Sequence, residues 1–318
     1  MNTFDVLGRR RRTQPTSTGK RITLQPADMI WLQKLHEHGP LPSSFLLAFT
    51  RHLRRSDKRA TERLTDLFNE DNTKHGGRYL DRPMQQFRTI DSRYNQLVYD
   101  LAPAGRRALF DSGAPVAAIN VAGPWLHRFM VACATGSIKI GTLDRTDTTF
   151  IPGHHVLARA DTELRYSVPI SDDHDRQITK DLIPDALFGL VYHTPDGDRF
   201  RFFVVECDRA TEPAVSSNWN RKSWRRSLRQ YHAYVAEGLY RDHLQLTAPL
   251  LVLNICSNTE RTEQLLAVTE TELGPTSYQL FQTWPTFGSL WRPPVPNADL
   301  LRGAWQRMGS APLRIDQA

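Results

Sequence analysis

Cysteine is scarce in this chain. Three in 318 residues, at positions 133, 207 and 256, are odd in number, far apart and set in apolar surroundings. They form neither a Cys-x-x-Cys pair nor a disulfide framework, which excludes a zinc ribbon and a disulfide-stapled secreted scaffold and leaves a reducing compartment as the expectation. Long hydrophobic runs are also missing: none approaches the ~18 residues that a membrane helix needs. The N-terminus is basic but no apolar stretch follows it, so it does not read as a secretory signal. A soluble, cytoplasmic protein without membrane contact is expected.

Basic charge is plentiful. Lysine and arginine total 41 against 34 acidic residues, a net charge of +7. The excess is clumped at Arg9–Arg12, Arg51–Arg63 and Arg221–Arg229, and clumped cations fit a polyanion better than a general solubility role. With 40% hydrophobic residues the chain is long enough for two ordinary domains with real cores. Residues 1–21 carry little to bury and read as a disordered basic arm.

Residues 22–118 read as a winged helix-turn-helix. A helix starts at Pro26 and ends at Gly39-Pro40, a short one covers 43–49, and Ser56 caps a third with Ala60, Leu64, Leu67 and Phe68 on one face. Strands at 78–82 and 96–101 form the wing. The third helix would enter the major groove of double-stranded DNA, with Lys58, Arg59 and Arg63 as its contacts.

Residues 183–235 carry the chemistry. They read as strand, turn, strand and amphipathic helix. Asp185 opens the first strand; Glu206 and Asp208 end the second, and strand alternation turns them to one face. Three carboxylates cannot sit close together and ionised without a cation, and hard oxygen ligands on strands suit Mg²⁺ or Mn²⁺. On the helix, Trp224, Leu228, Tyr231 and Val235 make an apolar stripe, and Lys222, Arg225, Arg226 and Arg229 a basic one beside Arg221. Carboxylates next to such a helix would suit a site handling phosphodiesters.

These residues carry a resemblance. Pro184-Asp185, the strand ending Glu206-Cys207-Asp208-Arg209-Ala210-Thr211-Glu212, and the helix with Lys222 and Tyr231 are similar to the replication-relaxation family, proteins of plasmid mobilisation and replication that include relaxases with a restriction-endonuclease-like catalytic domain. Tyr99, Leu101 and Gly105 resemble the end of that family's winged-helix half. The resemblance implies a two-domain α/β protein: the winged helix, then at 119–290 a restriction-endonuclease-like αβββαβ domain with a mixed central sheet, and a Pro-rich tail at 291–318 that wraps the surface. It implies catalytic roles for Asp185, Glu206, Asp208 and Lys222, and for His127 on the domain's first helix, with Asp185, Glu206 and Asp208 holding Mg²⁺ or Mn²⁺. Glu163 is a candidate fourth acid, and Arg261 a phosphate contact. Aspartate stands at 208 where the nuclease pattern has lysine, and Lys222 is the candidate replacement. The attacking group is water or a tyrosine, Tyr231 or Tyr234; Tyr231 lies on the apolar stripe and is expected to pack. Two functions follow: a metal-dependent nickase of the relaxase type, acting on double-stranded DNA and on single strands at a nick, or an inactive DNA-binding regulator that works with relaxosome or replication proteins.

Overall fold

The computed structural model describes residues 12–71, 74–87, 95–114, 124–285, 287 and 292–318. These fall into two compact units. One holds the described residues up to 140 together with 292–297; the other holds 141–287 and 298–318.

In the first unit, α1 (Pro26–His38) begins with proline in its first turn, where the missing N–H costs nothing. Asp28 reaches back to the Gln25 amide at 2.8 Å. A short strand β1 (Leu41–Pro42) leads to α2 (Ser43–Phe49) and then α3 (Asp57–Asn69). Ser56 caps α3, and Ala60, Leu64, Leu67 and Phe68 are its buried face, as the spacing requires. Strands β2 (Leu80–Asp81) and β3 (Val98–Leu101) complete an antiparallel sheet in the order β1-β3-β2, followed by α4 (Pro103–Asp111). The helix α5 (Trp125–Thr142), expected to open the second domain, is counted with the first unit as far as residue 140. Residues 12–21, expected to be part of a free arm, are held along α3. Thr16 and Thr18 amides donate to Asn69 and Glu70, and Lys20 pairs with Asp66. Arg9–Arg11 lie outside the described residues.

The second unit is a mixed α/β layer around a seven-stranded sheet. Its strands are β4 (Thr148–Pro152), β7 (Ala186–Thr194), β8 (Gly197–Asp208), β9 (Leu250–Cys256), β10 (Gln279–Thr283), β11 (Ala304–Arg307) and β12 (Ser310–Arg314), in the order β12-β11-β10-β9-β8-β7-β4. β4, β7 and β8 form an antiparallel meander; β9 then runs parallel to β8, and β10 parallel to β9. The β7–β8 turn is closed by Gly197 at φ +114°, a conformation that costs glycine little. β9 is buried nearly throughout, as its unbroken apolar run predicts. The crossover from β8 to β9 contains α7 (Trp224–Tyr231), a π-helical turn over His232–Ala236, and α8 (Leu239–Leu244); α9 (Thr259–Leu273) connects β9 to β10.

Three segments depart from the expectation. His154 and His155, which follow Pro152-Gly153 and so read as a turn, instead open α6 (Gly153–Ala160). The stretch 171–181, polar and charged enough to read as a surface loop, is largely a separate hairpin of β5 (Tyr166–Ser171) and β6 (Gln177–Leu182), with one exposed face and Val168, Ile170 and Leu182 buried on the other. The C-terminal stretch does not simply wrap the surface: after α10 (Asp299–Arg302), β11 and β12 extend the main sheet with Trp305 fully buried. Of the two tryptophans expected to anchor this stretch, Trp284 is buried and Trp291 lies outside the described residues. None of the described helices is long and apolar enough to cross a membrane.

Candidate functional site

The antiparallel register sets Ala186 opposite Val205, so the residue before β7 falls beside the end of β8. Asp185 is pinned there twice: its amide donates to the Val205 carbonyl at 3.0 Å, and its Oδ2 accepts from the Cys207 amide at 2.8 Å. Those two bonds straddle Glu206 and bring the two carboxylates together. The pair lies toward the C-terminal ends of the parallel strands β8, β9 and β10, the edge where open α/β sheets bind ligands.

Glu206 is half-buried, and the Tyr231 hydroxyl donates to its Oε1. Burial and the charge of Asp185 push its carboxyl up to about 8, against Lys222 and the tyrosine hydrogen bond; Glu212 adds to the rise. Tyr231 is fully buried, and burial and Glu206 hold its hydroxyl well above the ordinary range. It therefore stays protonated and packed, so it supports Glu206 rather than attacking. Tyr234 is equally buried and hydrogen bonds to His243.

Lys222 pairs with Glu212 at 3.2 Å, both side chains about half exposed. Burial works against its charge, but Glu206, Glu212 and Asp185 together raise its pKa, so the ammonium lies in the field of the carboxylate pair. Glu212 was not singled out in the sequence as a site residue.

Asp208 is engaged elsewhere. Arg261 grips it with two bonds, Nε to Oδ1 at 3.0 Å and Nη2 to Oδ2 at 2.9 Å, and also reaches the Glu212 carbonyl. The Ala210 amide adds a third bond, to Oδ1. Arg261, expected to contact phosphate, is only 6% exposed and ties the turn after β8 to the start of α9. Among the described residues no group of three His, Cys, Asp or Glu is placed to hold a metal ion. Asp185 and Glu206 remain as the carboxylate pair. His127 lies on α5, in the other unit, and Glu163 is exposed with its carbonyl accepting from His243.

The basic stripe of α7 is mostly tied into the fold. Arg225 bonds to Glu272 and Asp173, and Arg229 to the same two carboxylates and the Ser171 carbonyl; both guanidinium groups stack over Trp219, at 5.1 and 4.6 Å. Arg226 donates to the carbonyls of Trp219 and Asn220, while Arg221 is exposed. In the first unit, Lys58 and Arg59 are exposed on the first turn of α3, beside exposed Arg51, His52 and Arg55. Arg63 instead grips buried Asp28 and the Thr23 carbonyl.

No curated protein matches the chain, and no solved structure does. The family model described as replication-relaxation matches residues 32–248, from within α1 to just past α8, taking in α3 and both carboxylate-bearing strands. The match covers well over half of the chain, and the protein belongs to the replication-relaxation family.

Proposed function

We propose that this member of the replication-relaxation family nicks or processes DNA in plasmid mobilisation or replication, with Asp185 and Glu206 as a carboxylate pair for one divalent cation. The observation that carries the proposal is the double pinning of Asp185 around Glu206, with the Lys222 ammonium in their common field. The β4-β7-β8 meander followed by parallel β9 supports a restriction-endonuclease-like core. In the first unit, α1, α2 and α3 with the β1-β3-β2 sheet support a winged helix, with Lys58 and Arg59 at the start of its recognition helix.

The donor set suits a cation. Hard oxygens from two side chains, with the proton affinity of one raised by the charge of the other, match Mg²⁺ or Mn²⁺, which are held by one or two carboxylates and keep several waters. A bound divalent ion would supply Lewis-acid polarisation of a phosphoryl oxygen. Tyr231 fixes the orientation of Glu206. Lys222, held by Glu212, offers positive charge to the phosphate as negative charge develops. With both tyrosines buried, water is the attacking group.

A second reading, an inactive DNA-binding regulator, is favoured by the Asp208–Arg261 clamp at the position where the nuclease pattern has lysine. Incubation of supercoiled plasmid with Mg²⁺ or Mn²⁺ separates the two. Metal-dependent nicking by the wild type that Asp185→Ala and Glu206→Ala both lose is the expected result. DNA binding without nicking by any form, on a plasmid carrying the cognate site, would select the regulator.

A further inference from the structure

Asn254 is the one polar residue in the buried run of β9, and it is 1% exposed. It is the register partner of Glu206. Phe202 and Val204 of β8 and Leu250 and Val252 of β9 share one core with Tyr231, so residues two further on, Glu206 and Asn254, turn to that same face. The orientation of the amide is fixed from the other side. Nδ2 donates to the Gln279 side-chain oxygen at 2.8 Å and to the Leu280 carbonyl at 3.1 Å, both on β10. β9 lies between β10 and β8, so with Nδ2 held by β10 the free oxygen Oδ1 belongs to an amide whose other neighbouring strand is β8, where Glu206 is its register partner. That oxygen is buried and accepts no hydrogen bond from the protein. A buried acceptor without a donor costs about 1–3 kcal/mol, and this one stands on the same sheet face as Glu206, so it calls for a ligand there.

We propose that Asn254 Oδ1 is a third oxygen donor to the divalent cation of Asp185 and Glu206. The inference rests on the cation site proposed above. A neutral amide oxygen adds a hard ligand without adding a third negative charge beside the two carboxylates. It also takes the place expected of Asp208 as third ligand: with Asp208 clamped by Arg261, the oxygen comes from the neighbouring strand. The Leu280 carbonyl and Gln279 would then orient the ligand, as outer partners of metal sites do.

Mn²⁺ binding to the full chain without DNA, followed by titration calorimetry, tests this independently of catalysis. Wild type should bind, Asp185→Ala should lose binding, and Asn254→Leu should bind roughly tenfold or more weakly while keeping a cooperative thermal transition. Equal affinity for wild type and a folded Asn254→Leu, with Asp185→Ala still deficient, overturns the role of Asn254 and leaves the cation site standing. Wild type that does not bind Mn²⁺ overturns both. If Asn254→Leu does not fold, wild-type crystals soaked in Mn²⁺ decide through anomalous scattering. A peak about 2.0–2.4 Å from Oδ1 is the expected result, and a peak bonded only to the carboxylates refutes it.

Discussion

Both oxygens of Asp208 face a guanidinium, and that controls what the residue can do. Its side chain is 16% exposed and that of Arg261 6%, so removing either partner leaves an uncompensated charge in a poorly solvated place. Arg261→Ala should destabilise the protein by about 3–5 kcal/mol, and Asp208→Ala with Arg261→Ala should cost less than the sum of the single changes, as a double-mutant cycle in urea would show. If Asp208 is a strut and not a ligand, Asp208→Asn loses stability but keeps the Mn²⁺ affinity of wild type. The sequence makes Asp185 and Glu206 visible because their separation of twenty-one residues fits a hairpin and both stand at strand ends. It hides the fate of Asp208, whose partner comes from 53 residues away. Two other signals were present. Tyr231 sat on a stripe that had to be buried, and a buried tyrosine needs a hydrogen-bond partner for its hydroxyl; Asn254 interrupted an apolar strand, and a buried amide needs the same.

At the level of elements, α3 and α7 look alike in sequence and differ in use. Each has an apolar stripe beside a basic one. On α7, Arg225 and Arg229 bind Asp173 of the β5–β6 hairpin and Glu272 of α9 and stack on Trp219, which fastens the hairpin, α9 and the loop before α7 to one helix. On α3, Lys58 and Arg59 point to solvent, and only Arg63 is tied down. Salt dependence separates the two uses, since each lost phosphate contact lowers the slope of log K against log salt by about one. Lys58→Ala with Arg59→Ala should weaken duplex binding and lower that slope in an anisotropy titration. Arg225→Ala with Arg229→Ala should leave the slope unchanged and lower the unfolding midpoint instead. The hairpin these arginines hold was hard to see in sequence for a related reason. A two-stranded ribbon with one exposed face carries charged residues along its length, and Asp172, Asp173, His174 and Asp175 at its turn read as loop. The C-terminal hairpin was masked by the prolines that precede it, Pro293, Pro294 and Pro296, although none of these lies within β11 or β12.

Across the whole molecule, the division into units depends on where α5 belongs, and a buried charge cluster argues for the first unit. Glu37, at the end of α1, is 6% exposed and receives Lys139 of α5 at 2.5 Å and Lys34 at 2.9 Å. His38 stands 3.5 Å from the same carboxylate and bonds through Nδ1 to Thr135 of α5. Burial opposes the charge on Glu37, but His38, Lys139 and Lys34 outweigh it and hold the carboxyl far below its ordinary value of 4.5. Burial in turn lowers Lys139 to about 8, against the pull of Glu37. A carboxylate depressed in the folded state adds stability that is fully present above its unfolded value and disappears as the pH falls through the folded one. Stability should therefore drop as the solution is acidified below about 4.5. Glu37→Gln should remove its share of that acid dependence and leave Lys139 buried without its carboxylate, at a cost of about 3–5 kcal/mol near neutral pH. The lysine then gains from losing its proton, so the deficit of the variant should shrink as the pH rises. Urea unfolding of both forms from pH 3 to 9 would show this as two curves farthest apart near neutrality. Parallel curves would mean that the cluster does not carry the attachment of α5 to the first unit.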